Sequence, residues 1–178
     1  MKRTILLPIV TIALSAAILA GASVALSGIA RENGQREHLQ IMRTLLPGSE
    51  NFTVEPYSGD DANIISVHKG ENGFVIETVT RGYVDEIRML IAVSNDGKVT
   101  GLMVREMHET FGLGLNGLTD VDFLAQFLNT SGEAEVGSTV DALTGATVTS
   151  KAITRAVNSA VAYVTGADAS SGATSWGG

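Results

Sequence analysis

Residues 5–30 read ILLPIVTIALSAAILAGASVALSGIA, a stretch without a single charged side chain. No other feature limits the fold so severely. A helix rises about 1.5 Å per residue, so roughly 20 such residues cross the hydrocarbon core of a bilayer. Pro8 falls near the start of the run, where a helix has N–H groups to spare. The alternative is a secretory signal cleaved after a small residue such as Ala22, Ala25 or Ala30. The apolar region of such a signal spans about 7–15 residues, and this one is longer. We therefore expect a retained anchor. Lys2 and Arg3 are the only charged side chains ahead of it, so the positive-inside rule leaves the N-terminus in the cytoplasm and everything after Ala30 outside. The expected location is a single pass through the cell (inner or cytoplasmic) membrane.

The exported part then holds all 19 acidic residues and 10 of the 12 Lys and Arg, a net charge of −9. That balance argues against nucleic acid and against docking on anionic lipid. The chain has no cysteine. Disulfides, Cys-ligated iron–sulfur clusters, haem attachment through CxxCH and a lipidated cysteine are therefore excluded. Any electron chemistry must use another cofactor.

Past the anchor, RENGQREHLQIMRTLLPG sets Leu39, Met42, Leu45 and Leu46 on one helical face and stops at Pro47-Gly48. SENFTVEPYSGDDA reads as a polar connection. NIISVHKGENGFVIETVTRGY predicts two strands around a Gly-Glu-Asn-Gly turn. IRMLIAVSNDGKVTGLMVRE predicts a hairpin, because Asn95-Asp96-Gly97 supplies the positive φ of a tight turn. MHETFGLGLNG is a glycine-punctuated loop, and TDVDFLAQFLN a short helix capped by Thr119 or Asp120. TSGEAEVGSTVDALTGAT predicts loop and a short strand. Ile153, Ala156, Val157, Ala160, Val161 and Val164 then recur at helical spacing up to Gly166. The expected fold class is α+β: one N-terminal transmembrane helix, then a single domain with a mostly antiparallel sheet and flanking helices. The divisions are an anchor at 1–30, an amphipathic helix and connection at 31–62, the domain proper at 63–166, and a disordered Gly/Ser-rich tail at 167–178.

The chemistry gathers at TGATVTSKAITRAV. Thr144, Thr147, Thr149 and Ser150 crowd hydroxyls at the entry to a helix, and Gly145 lets the backbone come close to a ligand. Free N–H groups and the positive end of the helix dipole suit a phosphate there. The plain alternative is that these hydroxyls only cap the helix.

DALTGAT followed by a helix resembles the flavinylation motif D-x-x-[S/T]-G-A-T of the FMN-binding domains in sodium-pumping NADH:quinone oxidoreductases and in Rnf complexes. A second stretch, HETFGLG, is similar to the H-E-T-P-G-L-G of that family. It matches at His108, Glu109, Thr110, Gly112, Leu113 and Gly114, with Phe111 where the family has proline. The resemblance covers about residues 70–164, and one anchor plus one exported domain is more similar to the G subunits of Rnf complexes than to the longer C subunits of the sodium pumps. It implies a covalent FMN, esterified through its phosphate to Thr147 by a dedicated flavin transferase. Thr144, Gly145, Ala146, Val148, Thr149 and Ser150 would border the phosphate, and the 108–114 loop the flavin ring. It further implies an electron-carrying subunit of an ion-translocating ferredoxin:NAD⁺ oxidoreductase, without independent catalysis. Residues 5–30, with small side chains at Ala16, Ala17, Ala20, Gly21 and Ala25, would pack on the other membrane subunits.

HETFG lacks the second histidine of a zinc-binding H-E-x-x-H helix, so no metal is expected. The tail repeats the short pattern as DASSGAT, which makes Thr174 a second candidate for FMN; no helix follows it, and a Ser/Gly-rich tail produces such a match by composition. Two rivals remain at this level: a cofactor-free anchored scaffold, and a stand-alone flavin reductase.

Overall fold

An Asp-Gly pair between two β-rich runs is a strong local instruction. In the computed structural model it closes a hairpin of β4 (Glu86–Ser94) and β5 (Val99–Met107), with Ile91 opposite Leu102 and Gly97 at φ 80° in the turn. The structure describes residues 2–109, 114 and 120–167, with backbone alone at positions 2–11, 13, 24–26 and 29. The second expected pair forms as β2 (Ile64–Lys69) and β3 (Gly73–Arg81). One strand was not foreseen. Thr53–Glu55, read above as polar connection, is β1 and pairs along the outer edge of β2 with Val54 opposite His68. Three residues followed by Pro56 give too short a pattern to read as a strand.

The sheet is a five-stranded antiparallel meander in the order β1-β2-β3-β4-β5. Alternate residues of each strand point to opposite faces. On one face Ile76, Ile87, Met89, Ile91, Val93 and Val99 join a core with α3 (Thr147–Thr165). That helix contributes Ile153, Ala156, Val157, Ala160 and Val161, all buried as their spacing predicts, and ends on Gly166 with φ 71°. Fully burying the Ile and Val side chains among these contributes about 1.5–3 kcal/mol each. The register of helix on sheet is fixed by polar contacts as well. The Thr80 hydroxyl donates to the Ala152 carbonyl at 3.0 Å, and Arg155 Nη2 donates to the Arg81 carbonyl at 3.0 Å.

The opposite face buries Val75, Leu90 and Ala92. Here Met42, Leu45 and Leu46 are buried too, and the Thr100 hydroxyl donates to the Leu45 carbonyl at 2.8 Å. The short helix α2 is Val121–Ala125, shorter than its sequence suggests. Asp120 caps it, accepting from Phe123 N–H at 2.9 Å; Thr119 lies outside the described residues. In place of the short strand expected before DALTGAT there is only an isolated bridge between Val136 and Val140.

At the amino end, the apolar run and the amphipathic segment form one uninterrupted helix, α1 (Lys2–Leu45), which ends just before Pro47-Gly48. The chain divides into two units, Met1–Ile41 and Met42–Gly178. Within the first, Ile12, Leu14, Ile18 and Leu19 are exposed, and Arg36 pairs with Glu32 at 2.7 Å. Among the described residues, no helix is long and apolar enough to cross a membrane.

Candidate functional site

Where α3 begins decides what each hydroxyl of TGATVTS does. Ala146 is the N-cap and Thr147 the first helical residue, and no side chain among the described residues caps the helix. The plain capping role weighed for these hydroxyls is therefore not what they do. An α-helix leaves its first N–H groups without intrahelical partners, so this end presents donors and positive potential to whatever lies outside it. Gly145 takes φ 73°, which a side chain would resist, and so turns the chain into the helix. Ser150, one turn in, is buried and holds that turn together. Its hydroxyl donates to the Ala146 carbonyl at 3.0 Å and accepts from Leu143 N–H at 3.0 Å. Thr144 is exposed on the turn, and Thr147 is exposed at the helix start.

Glu109 ties this corner to the sheet. One carboxylate oxygen accepts from the Thr149 hydroxyl at 3.1 Å, across forty residues of sequence. The other accepts from Val84 N–H at 3.1 Å, on the turn between β3 and β4. Both neighbouring glycines are required by this approach. A Cβ on Gly114 would stand 2.6 Å from the Thr149 hydroxyl and 2.9 Å from the Glu109 carboxylate. A Cβ on Gly82 would run into the same carboxylate and stand 2.9 Å from the Asp85 carbonyl.

Between them lies a pocket of about 390 Å³, lined by Tyr83, Glu109, Gly114, Gly145, Ala146, Thr147, Val148 and Thr149. Both sequence motifs thus meet at one place. His108 is exposed at the end of β5 and does not line the pocket, nor do Thr144 and Ser150. Thr110, Phe111, Gly112 and Leu113 lie outside the described residues, as does the tail with Thr174. Tyr83 was missed. No motif marks it; it reaches the pocket because Arg155 and Glu109 together hold the end of β3 and the 82–85 turn beside the helix.

The residues present suit a phosphorylated flavin: an exposed hydroxyl at a helix start that no described side chain caps, opening on a pocket lined by Glu109 and Gly114. A family model described as FMN-binding domain matches residues 82–162. The G subunit of the proton-translocating ferredoxin:NAD(+) oxidoreductase complex of Clostridium ljungdahlii is 31% identical over 165 residues, which cover 88% of this chain and 87% of that one. The chain belongs to this family of FMN-binding G subunits. The G subunit of the ion-translocating oxidoreductase complex of Methanosarcina acetivorans is 33% identical over 141 residues, 70% of this chain and 73% of that one. For the G subunit of the Na(+)-translocating ferredoxin:NAD(+) oxidoreductase complex of Acetobacterium woodii the figures are 27% over 174 residues, with 84% of each chain covered. The FMN-binding match opens at Gly82, beside Tyr83, and closes within α3, so it takes in every lining residue of the pocket.

Proposed function

We propose that this chain is the flavin-carrying subunit of an ion-translocating ferredoxin:NAD⁺ oxidoreductase complex, with FMN held as a phosphoester on Thr147. The observation that carries the proposal is the exposed Thr147 at the start of α3, which no side chain among the described residues caps, opening on a pocket shared with Glu109 and Gly114. The G-subunit relatives support the complex, the FMN-binding match supports the cofactor, and DALTGAT supports the linkage.

In this reading a flavin transferase supplies FMN from FAD. The Thr147 oxygen forms a bond to the FMN phosphorus, the pyrophosphate bond breaks, AMP leaves, and the hydroxyl proton is lost to a base on the transferase. The bound flavin supplies electron transfer in single steps, and the chain's own residues do the rest. The first N–H groups of α3 and its dipole stabilise the phosphate negative charge. Gly145 and Ala146 keep side chains out of its way, Val148 gives an apolar wall, and Thr149 is locked by Glu109. Attachment through phosphate leaves the ring unmodified, so the redox chemistry remains the cofactor's, tuned by its surroundings. No group of this chain needs to act as catalyst.

The amino-terminal unit serves as anchor, from residue 5 to 30. Its support is the charge-free sequence together with Ile12, Leu14, Ile18 and Leu19 exposed along α1, a surface suited to lipid or to neighbouring membrane subunits. The FMN domain, 63–166, then lies on the outer side of the membrane.

Intact-mass spectrometry of the full chain made with its transferase tests the linkage. One FMN adduct is expected, mapped to Thr147, with a fluorescent band in a denaturing gel. Thr147→Ser keeps the adduct and Thr147→Ala abolishes it. An adduct that survives Thr147→Ala and maps to Thr174 would move the site to the tail; a bare, colourless chain from the native host would sink the carrier reading altogether.

A further inference from the structure

Tyr83 does nothing visible for the fold: it is 70% exposed, whereas most large apolar side chains of the same sheet are buried. Yet the turn that carries it is unusually well fastened. Gly82 N–H donates to the Asp85 carbonyl at 2.9 Å, Arg81 Nη2 donates to the Val84 carbonyl at 2.9 Å, and Val84 N–H donates to Glu109 at 3.1 Å. Arg81 also pairs with Asp85 at 3.6 Å. A fixed turn has already lost the backbone freedom that binding would otherwise cost, which leaves only the tyrosine side chain to be ordered.

The pocket explains where that side chain is of use. Tyr83 is its one aromatic wall among the described residues, and Gly114, Gly145, Ala146 and Thr147 are small. One aromatic side chain among short ones leaves room for a flat ligand, and about 390 Å³ falls within the usual range for small-molecule sites. Aromatic rings gain by offset or edge contact at centroid separations of about 4.5–7 Å. We propose that Tyr83 packs on the ring end of the flavin, and that Glu109 is its positioning residue through the bond to Val84. This rests on the attachment at Thr147 argued above. It adds an element outside both motifs, contributed by the turn between β3 and β4.

Flavin emission tests the contact, because a tyrosine or tryptophan touching the ring quenches it by electron donation and an aliphatic side chain does not. Full-length chain, co-expressed with its transferase and purified in detergent, is compared as wild type, Tyr83→Leu, Tyr83→Trp and Glu109→Ala. Each is checked for one FMN adduct by intact mass and for an intact thermal transition, and emission is normalised to the same sample denatured. Wild type and Tyr83→Trp should be dim, and Tyr83→Leu severalfold brighter. Glu109→Ala should brighten although Tyr83 is still present, which a role confined to folding would not produce. Tyr83→Leu as dim as wild type, with the adduct in place, overturns the contact. A dim Glu109→Ala overturns the positioning role. A wild-type chain without adduct overturns the attachment and this proposal with it, and mass alone separates that failure from the others.

Discussion

At the level of single residues, four hydroxyls that look alike in the sequence have four different fates. Thr144 faces solvent, Thr147 opens the helix, Thr149 binds Glu109, and Ser150 is buried with two partners. The motif made this cluster legible, but the sorting depends on where the helix starts, and a shift of one residue would turn every side chain by about 100°. Removing the buried hydroxyl is predicted to be costly. Ser150→Ala leaves Leu143 N–H without its acceptor, so chemical unfolding should show a loss of about 1–3 kcal/mol. Thr78 is the opposite case. Its hydroxyl is fully buried on β3 and has no hydrogen-bond partner among the described residues. Thr78→Val keeps the shape and removes an unmet polar atom, so we expect a gain of about 1 kcal/mol in the same measurement.

Among the elements, the hairpins were legible because turn residues and alternation agree. The joins between elements were not, because side-chain bonds over long sequence separations make them. Asn158 on α3 is one such join: its amide accepts from Ala134 N–H at 3.1 Å and donates to Ala134 carbonyl at 2.9 Å. Asn158→Ala breaks both bonds in a buried place and should cost about 2–4 kcal/mol, read as a lower denaturation midpoint. Glu71 is another, on the turn between β2 and β3. Its own backbone N–H, then the Asn51 side chain and the N–H groups of Asn51 and Glu50, hold its carboxyl below the usual 4.5. A carboxyl depressed on folding stabilises above its unfolded value and loses that contribution as pH falls through the folded one. Thermal midpoints should therefore drop as pH is taken below about 4.5, and Glu71→Gln should lower the midpoint at neutral pH while flattening that acid decline. Tyr163, at the far end of α3, is displaced upward by burial and by its bond to Glu55, so its phenol stays protonated at any physiological pH.

For the whole molecule, the charge-free amino-terminal run gives a prediction of place. Full-length chain should remain with membranes through alkaline carbonate extraction, and a variant lacking residues 1–30 should be released; recovery of full-length chain in the supernatant would remove the anchor from the account. The sheet carries a further consequence. Every strand pairs with its neighbour in sequence, so the meander can close progressively as the polypeptide emerges, with no distant segment to wait for. Thr147, the proposed acceptor, belongs to the last element among the described residues, and its setting exists only after α3 has docked on a finished sheet. A transferase that recognises this setting would leave incomplete chains colourless, so that the yellow colour of a preparation counts the molecules that finished folding.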